Sequence, residues 1–191
     1  MRTRGAVLVA AAEQFDRHGY GGTSLSRIST AADLSTGALT FHFPTKDALA
    51  DAVQWHGRHT TQLVVDGLTE LRPPPLRGVV DLTLALAGLL ERDVTVRAAA
   101  RLSRERPGCP AVWCTAWNPA LGRLAARVTG GPSPAGAAGP LVALARHLVA
   151  GVEVHLRCAA GQEGGLGASP GVQAEIEQIW SLLLHGMDLL K

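Results

Sequence analysis

The chain has 191 residues, of which 47% are hydrophobic and 18% are charged. This length and composition predict one ordinary domain, or one domain with a small appendage, and they exclude a chain that is disordered throughout. The formal net charge of +2 is too small to indicate nucleic-acid binding from bulk electrostatics alone.

The sequence carries no signal for a membrane or for an oxidising compartment. It has no run of 18 apolar residues, and its N-terminal stretch lacks the hydrophobic segment and the cleavage site of a secretory signal peptide. Three cysteines cannot pair completely into a disulfide framework, which favours a reducing interior. We therefore expect a cytoplasmic protein with no membrane partner.

Helical periodicity runs through almost the whole chain, whereas the alternation typical of β-strands is absent. Clusters of proline and glycine end the helical segments, because proline lacks a backbone donor and glycine favours left-handed caps. The clusters lie at residues 19–22, 33–36, 44, 73–75, 107–110, 130–140 and 161–170. The pattern predicts an all-α chain of about nine helices, a count set by segments of normal helix length.

The first 50 residues predict three helices. The first covers residues 3–18, the second begins at Thr23 or Ser24, and the third is very short and is capped by Ser35 or Thr36. A helix of about one and a half turns cannot stand alone, so the first two helices must hold the third. Two short helices joined by a tight turn are typical of a helix-turn-helix, although an ordinary three-helix cap explains the spacing equally well.

The remainder of the chain predicts longer helices. A helix over residues 46–71 follows the first three directly, and a strongly apolar one covers residues 76–91. Two amphipathic helices are expected over residues 135–159 and 172–190. Such a C-terminal pair can pack within the chain, or against a second copy in a four-helix bundle.

Two of the few aromatic residues, Trp113 and Trp117, are four positions apart and would share one face of an α-helix. By spacing alone this pair is either part of a core or part of the wall of a binding pocket. An indole can lie flat against a small ring and offers one hydrogen-bond donor.

Residues 35–49, which read STGALTFHFPTKDAL, resemble the DNA-binding signature of the TetR family of regulators. Residues 11–28 resemble the same family at the matching offsets. The sequence Phe41-His42-Phe43 is similar to the γ-butyrolactone receptor branch. Three later features resemble that branch as well: residues 94–102 its sixth helix, Trp117 its ligand-pocket tryptophan, and residues 179–187 its last helix.

The resemblance implies a homodimeric repressor rather than an enzyme, with no cofactor and no metal. Residues 1–47 would form a helix-turn-helix head that binds a palindromic operator in double-stranded DNA. Residues 48–191 would form a helical ligand-binding and dimerisation domain. A γ-butyrolactone-type or antibiotic-like small molecule would release the DNA, and the regulated genes would be those of secondary metabolism.

Small and polar side chains at the start of the third helix suit close approach to base edges in the major groove. Lys46, at the start of the next helix, and Ser24 and Arg27, at the rim of the helix-turn-helix, suit contact with phosphates. The predicted DNA-binding residues are Ser24, Arg27, Thr36, Gly37, Ala38, Thr40, Phe41, His42 and Lys46. Leu39 and Phe43 are predicted to be core, and Arg2 and Arg4 to form a flexible arm.

The head departs from the family pattern at two positions. Most relatives carry Tyr where Thr40 stands, and many carry Lys where Thr36 stands, so two phosphate contacts are lost. Residues 1–50 hold five basic and four acidic side chains, a net charge of only +1. Since phosphate neutralisation drives affinity, we expect modest DNA affinity or strong reliance on dimer avidity.

The ligand and dimer surfaces are predicted from the apolar helices and from the resemblance. The predicted ligand-binding residues are Trp117, Trp113, Leu82, Leu86 and Leu102, with Arg97, Arg101 and Thr115 as candidate polar partners. The predicted dimerisation residues are Leu148, Val152, Ile179, Trp180, Leu183 and Met187.

Other functions remain as alternatives. One is a multidrug-sensing repressor of an efflux gene, and another is a helical binding module whose DNA-binding head is vestigial. Cys109 and Cys114 with His56 and His59 do not predict a zinc site, because these residues belong to different elements and no second ligand pair follows. No catalytic motif appears.

Overall fold

The computed structural model describes residues 2–106, 108, 112–128, 139–160 and 171–188. Within these ranges the chain forms α-helices and one short 3₁₀ turn, and no strand. The all-α prediction is confirmed. The helices are α1 (Arg2–His18), α2 (Leu25–Ala31), α3 (Thr36–His42), α4 (Lys46–Glu70), α5 (Pro75–Arg92), α6 (Val94–Glu105), α7 (Asn118–Val128), α8 (Pro140–Ala160) and α9 (Val172–Asp188), and the 3₁₀ turn is Trp113–Ala116.

The structure divides into two compact units, and each contains two stretches of chain. The first unit comprises Met1–Gln62 and Asp93–Trp117, and the second comprises Leu63–Arg92 and Asn118–Lys191. The predicted domain boundary between residues 47 and 48 stays a prediction.

The first unit is built around an apolar cluster to which α1, α2, α3, α4 and α6 all contribute. Its fully buried members include Phe15, Ile28, Leu39, Leu49 and Leu102. Helix α3 alone is too short to be stable, so burial of its apolar side in this cluster holds it in place.

Side-chain caps set the starts of the two short helices. Ser24 accepts a hydrogen bond from the backbone N–H of Arg27, and Ser35 accepts one from Ala38, each at 3.2 Å. Thr23 does not cap α2, because its hydroxyl donates to the carbonyls of Gln14 and Gly19. The chain turns between α2 and α3 at Asp33, whose φ of 53° lies in the left-handed region that Asp tolerates.

The second unit is arranged around α5, which packs against α7, α8 and α9. Half of the 18 residues of α5 are buried, including Leu82 and Leu86. The indole N–H of Trp180 in α9 donates to the hydroxyl of Thr83 in α5 at 2.7 Å, and both groups are buried. The start of α9 is tied to the end of α5 by the backbone N–H of Val172, which donates to Glu91 at 3.2 Å.

Two predicted elements differ from the structure. The tryptophan pair lies on a 3₁₀ turn that ends before Trp117, not on an α-helix. Pro119 explains the break, since it has no backbone N–H to donate to the carbonyl of Thr115 and so cannot continue a helix that contains both tryptophans. The helix expected from residue 135 begins at Pro140, and residues 129–138 lie outside the described part of the chain. No described helix has the length and hydropathy needed to cross a membrane.

Candidate DNA-binding and ligand-binding sites

Helix α3 has one buried side and one exposed side. Leu39 and Phe43 are buried at 0% and 3% exposure, as predicted for core residues. Thr36 and Gly37 are exposed at the start of the helix, and Phe41 is 86% exposed near its end. The cluster around Leu39 therefore fixes the orientation of a helix whose outer side is open to a partner.

The polar groups of this outer side already have partners within the chain. The hydroxyl oxygens of Thr36 and Ser29 lie 3.3 Å apart and link α3 to α2. The hydroxyl of Thr40 donates to the carbonyl of Gly37 at 3.1 Å. Its oxygen can still accept a hydrogen bond, but donation to a phosphate would require the bond to Gly37 to break.

The basic residues predicted at the rim take different positions. The Arg27 side chain is exposed and donates to the carbonyl of Gly22 at 3.1 Å. Arg2 and Arg4 both lie in α1, so the predicted flexible arm is wrong. The Arg4 guanidinium lies 5.1 Å from the centre of the Phe43 ring, where cation–π attraction holds it near α3.

Lys46 holds the turn before α2. Its ammonium donates to the backbone carbonyls of Tyr20 and Thr23 at 3.0 and 3.1 Å, and it lies 4.1 Å from the centre of the Tyr20 ring. Two of the three ammonium donors are therefore used inside the protein. Contact between Lys46 and a phosphate stays a prediction.

Tyr20 and Arg106 meet at the start of α4. The Tyr20 hydroxyl donates to Asp47 at 2.7 Å, and Arg106 donates to the same carboxylate at 2.9 Å. Arg106 also binds Asp51 at 2.6 Å and Gln54 at 3.0 Å. One guanidinium just after α6 thus connects two turns of α4 and the tyrosine that follows α1.

A second set of contacts joins α6 to α1. Glu105 accepts a hydrogen bond from the backbone N–H of Tyr20 at 2.6 Å and pairs with Arg101 at 2.7 Å. Arg101 donates to the carbonyl of Asp16 at 2.6 Å, and Arg97 pairs with the Asp16 carboxylate at 2.9 Å. We call these residues the polar cluster: Asp16, Tyr20, Asp47, Asp51, Arg97, Arg101, Glu105 and Arg106.

The polar cluster shifts three pKa values. Burial raises the pKa of Tyr20, and its hydrogen bond to Asp47 raises it further. That bond is the main cause of a lowered pKa at Asp47, and Arg106 adds to the effect. Burial alone would raise the pKa of Glu105, but the bonds from Arg101 and Tyr20 outweigh burial and the pKa is lowered.

These shifts have defined consequences for stability. A carboxylate with a lowered pKa stabilises the folded state above its unfolded pKa of about 4, and this contribution disappears as the pH falls through the folded value. A tyrosine with a raised pKa stabilises the folded state below about pH 10 and stops doing so as the pH rises through its folded value. The polar cluster thus favours the folded state at neutral pH.

Sequence reasoning missed most of this cluster. Arg97 and Arg101, considered as ligand partners, bind α1 and Glu105 instead. Arg106 and Asp47 are 59 positions apart, so no local spacing reveals that they meet. The one local signal was the four-residue spacing of Arg101 and Glu105, which is typical of ion pairs on a helix.

Trp113 and Trp117 are in contact although the helix predicted for them is absent. Their ring centres lie 5.6 Å apart with an angle of 60° between the planes, and both residues are at most 5% exposed. The indole N–H of Trp113 donates to Thr61 at 2.8 Å. The buried indole N–H of Trp117 has no acceptor within hydrogen-bonding distance among the described residues. Thr115 is exposed and accepts a bond from Arg58 at 2.9 Å.

A cavity of about 210 Å³ lies within the second unit, between the end of α4, α5 and α7. Of the predicted ligand-binding residues, Leu82 lines it, whereas Leu86 is buried elsewhere on α5. Leu102 belongs to the apolar cluster of the first unit, and Trp113 and Trp117 do not. A ligand role for Trp113, Trp117, Leu86 and Leu102 stays a prediction.

The predicted dimerisation residues separate into buried and exposed groups. Val152 and Trp180 are each 3% exposed, so they pack within this chain, and Leu148 is half-buried. Ile179 and Leu183 are each 38% exposed. Sequence reasoning missed Val154 and Leu182, which are 49% and 75% exposed, and the side chain of Met187 lies outside the described set.

The described residues do not form a metal site at His56, His59 and Cys114. No group of three or more His, Cys, Asp or Glu side chains in the described ranges is arranged to hold a metal ion. Cys109 itself lies outside those ranges.

Residues 7–53 match bacterial regulatory proteins of the TetR family. The A-factor receptor protein of Streptomyces griseus is 33% identical over 105 residues, which are 55% of this chain. The chain spans 36% of the length of that curated relative.

Solved structures of similar proteins cover more of the chain. A γ-butyrolactone receptor described as ArpA-like is 26% identical, covers 97% of this chain and 87% of its own, and has a TM-score of 0.72. The TetR family protein CprB from Streptomyces coelicolor A3(2) is 29% identical, with coverages of 97% and 89% and a TM-score of 0.64. CprB in complex with its operator sequence is 29% identical over 78% of this chain and 74% of its own, at a TM-score of 0.58. All these names describe receptors and regulators rather than enzymes.

Proposed function

We propose that this chain, which belongs to the TetR family of bacterial regulatory proteins, is a transcriptional repressor that binds a palindromic operator as a homodimer and releases it when a small molecule binds. The observation that carries the proposal is α3, a short helix with a buried inner side and an outer side that exposes Thr36, Gly37 and Phe41. Such a protein works on DNA in the cytoplasm of a bacterium.

The start of α3 would enter the major groove. Gly37 has no neighbouring atom within 4 Å of the position that a Cβ would occupy, so the backbone there is open to a base edge. The hydroxyl and methyl groups of Thr36 and Thr40 can contact a base edge and a thymine methyl. Ala38 adds no bulk to this side, and His42 and Phe41 extend the same contact surface towards the backbone.

Contacts with phosphates would be few. Arg27 is exposed in the first turn of α2, which Ser24 caps. Lys46 and Arg4 are already in contact with other groups of the protein. A single head therefore neutralises few phosphates and binds weakly, since affinity follows the number neutralised. Two heads on one dimer raise the effective concentration of the second head and make up for this.

The dimer would form through the apolar residues that α8 and α9 leave exposed. Val154, Ile179, Leu182 and Leu183 are each at least 38% exposed, although the helices that carry them are otherwise packed against α5. A two-fold interface uses the same patch on both copies, and two helices from each copy form a four-helix bundle.

The ligand that releases the DNA would be a γ-butyrolactone-type or antibiotic-like molecule, and the controlled genes would be those of secondary metabolism. Similar proteins are named as receptors for A-factor and for γ-butyrolactones, and one similar structure concerns the control of antibiotic production by bacterial hormones. The unpaired indole N–H of Trp117 would donate to an oxygen of this ligand.

The decisive experiment is a gel shift of the purified protein on palindromic duplexes selected from random sequence, at low and at moderate salt. We expect salt-sensitive binding to one palindrome, because phosphate contacts release counterions. Substitution Gly37→Gln should weaken this binding at least tenfold by holding α3 away from the bases.

A matched control is Gly67→Gln in α4, since Gly67 is also helical, exposed and without a neighbour within 4 Å. Both changes should leave the fold intact or stabilise it, because glutamine favours helices more than glycine does. Absence of binding to every duplex would contradict the repressor and favour a helical module with a vestigial head. Release by many unrelated apolar drugs would instead favour a multidrug sensor.

A further inference from the structure

The cavity of the second unit has an apolar floor and a charged rim. The floor is formed by Leu82 of α5 and by Ala120 and Leu124 of α7, which are at most 7% exposed. Leu68 of α4 and Pro73 of the triproline segment close the end of the cavity. Gly78 keeps α5 close to these groups, because a Cβ there would lie 2.8 Å from Leu124 and 3.1 Å from Pro73.

The charges on the rim do not cancel. Arg123 and Arg127 lie one turn apart on α7 and both line the cavity with exposed side chains. Neither forms an ion pair within the described ranges of the chain. The acidic residue on the rim, Asp81, pairs with Arg77 one turn earlier on α5 at 2.8 Å. Two arginines without an ion pair among the described residues therefore line an apolar cavity, and the carboxylate among its lining residues is paired with Arg77.

From this arrangement we propose that the cavity binds a small amphipathic carboxylate, with its hydrocarbon part on the leucine floor and its carboxylate on Arg123 and Arg127. A guanidinium matches a carboxylate in shape and binds it through two parallel hydrogen bonds. The Thr69 hydroxyl donates to the Asp66 carbonyl at 2.9 Å, which leaves its oxygen to accept a hydrogen bond from a ligand hydroxyl.

The size of the cavity limits the ligand. A volume of about 210 Å³ is below the range of roughly 300–1,000 Å³ that is usual for drug-sized ligands. A carboxylic acid with a short alkyl chain or a single small ring fits this space, whereas a large polycyclic antibiotic does not.

The binding site does not depend on the proposed function, and only its consequence does. If the chain is a repressor, the carboxylate is a ligand that acts on operator binding. Binding to the purified protein is therefore measured first and separately from DNA, so that failure of this site and failure of the repressor are distinguished.

The test is isothermal titration calorimetry of the full chain with sodium octanoate, with 1-octanol and inorganic phosphate as the tail-only and head-only probes. We expect saturable binding of octanoate that weakens with added salt, at least tenfold weaker binding of 1-octanol, and no binding of phosphate. The double substitution Arg123→Gln/Arg127→Gln should weaken octanoate binding at least tenfold and leave 1-octanol unaffected.

Two further variants locate the site. Arg146→Gln removes an exposed arginine of α8 that does not line the cavity, and it should bind octanoate like the unchanged protein. Ala120→Leu fills the floor and should abolish binding of both octanoate and 1-octanol, with circular dichroism as the check on folding. Equal affinity for octanoate and 1-octanol, binding that survives both arginine substitutions, or no saturable binding of octanoate would each overturn the proposal.

Discussion

The two compact units use the same buried hydrogen bond but differ in how their helices are held together. In each unit an indole N–H donates to a threonine hydroxyl, from Trp113 to Thr61 in the first and from Trp180 to Thr83 in the second. The first unit adds ion pairs between distant segments, such as Arg97–Asp16 and Arg106–Asp47. In the second unit the ion pair Arg77–Asp81 stays within one helix.

The difference lies in how strongly the contacts fix the angles between helices. Hydrogen-bonded ion pairs are directional, so the polar cluster sets the angles among α1, α4 and α6 and thereby orients α3. Apolar packing is not directional, and it leaves room for a cavity between α5 and α7. Directional contacts of this kind suit the DNA-binding role proposed for α3, and apolar packing suits the small-molecule binding proposed for the second unit.

The largest expected effect tests whether α3 depends on the core of the first unit. Leu39→Ala should lower the free energy of unfolding by about 3 kcal/mol, because it removes a fully buried side chain and leaves a cavity. Urea unfolding followed by circular dichroism measures this change. On the same helix, Phe41→Ala should alter stability by less than about 0.5 kcal/mol, since Phe41 is exposed. Similar losses for both variants would contradict the two-sided description of α3.

A smaller effect compares the two units through the bond that they share. Thr61→Val and Thr83→Val each leave a buried indole N–H without an acceptor, and each should cost about 2 kcal/mol. Calorimetry of both variants measures the two losses side by side. Clearly unequal losses would show that the bond does not serve the two units in the same way.

The smallest effect separates ion pairs between segments from an ion pair within a helix. Arg106→Gln should lower the free energy of unfolding by about 1 kcal/mol, a value kept small because its acidic partners are exposed to solvent. Arg77→Gln should change it by less than about 0.5 kcal/mol. Urea midpoints at low and high salt give both values. An Arg77 effect as large as that of Arg106 would remove the distinction between the units.

The sequence predicted those parts of the site that depend on neighbouring residues. Ser24 and Ser35 were named as possible caps because a hydroxyl before an apolar helix accepts an orphan N–H, and both are caps in the structure. Leu39 and Phe43 were predicted as core from their places on α3, and both are buried. The spacing of Trp113 and Trp117 indicated a contact, and the rings do meet, although on a 3₁₀ turn.

The predicted ligand and dimer residues stay predictions, because they depend on contacts between distant residues or between two copies of the chain. Arg97 and Arg101 were considered for a ligand, yet they bind α1 and Glu105. Val152 and Trp180 were assigned to a dimer surface, yet they are buried within the chain. An amphipathic helix reveals which of its sides is apolar, but not whether that side is covered by the same chain or by a second copy.

By itself, the sequence determined the helices and most of their caps and breaks, because propensity, capping and periodicity act over a few neighbouring residues. The tertiary structure decided which charges meet in the polar cluster, which of the apolar residues on α8 and α9 remain exposed, and where α4, α5 and α7 leave a cavity. Those outcomes depend on packing between residues that lie tens of positions apart, and pairwise contacts at that separation have no signature in a single sequence.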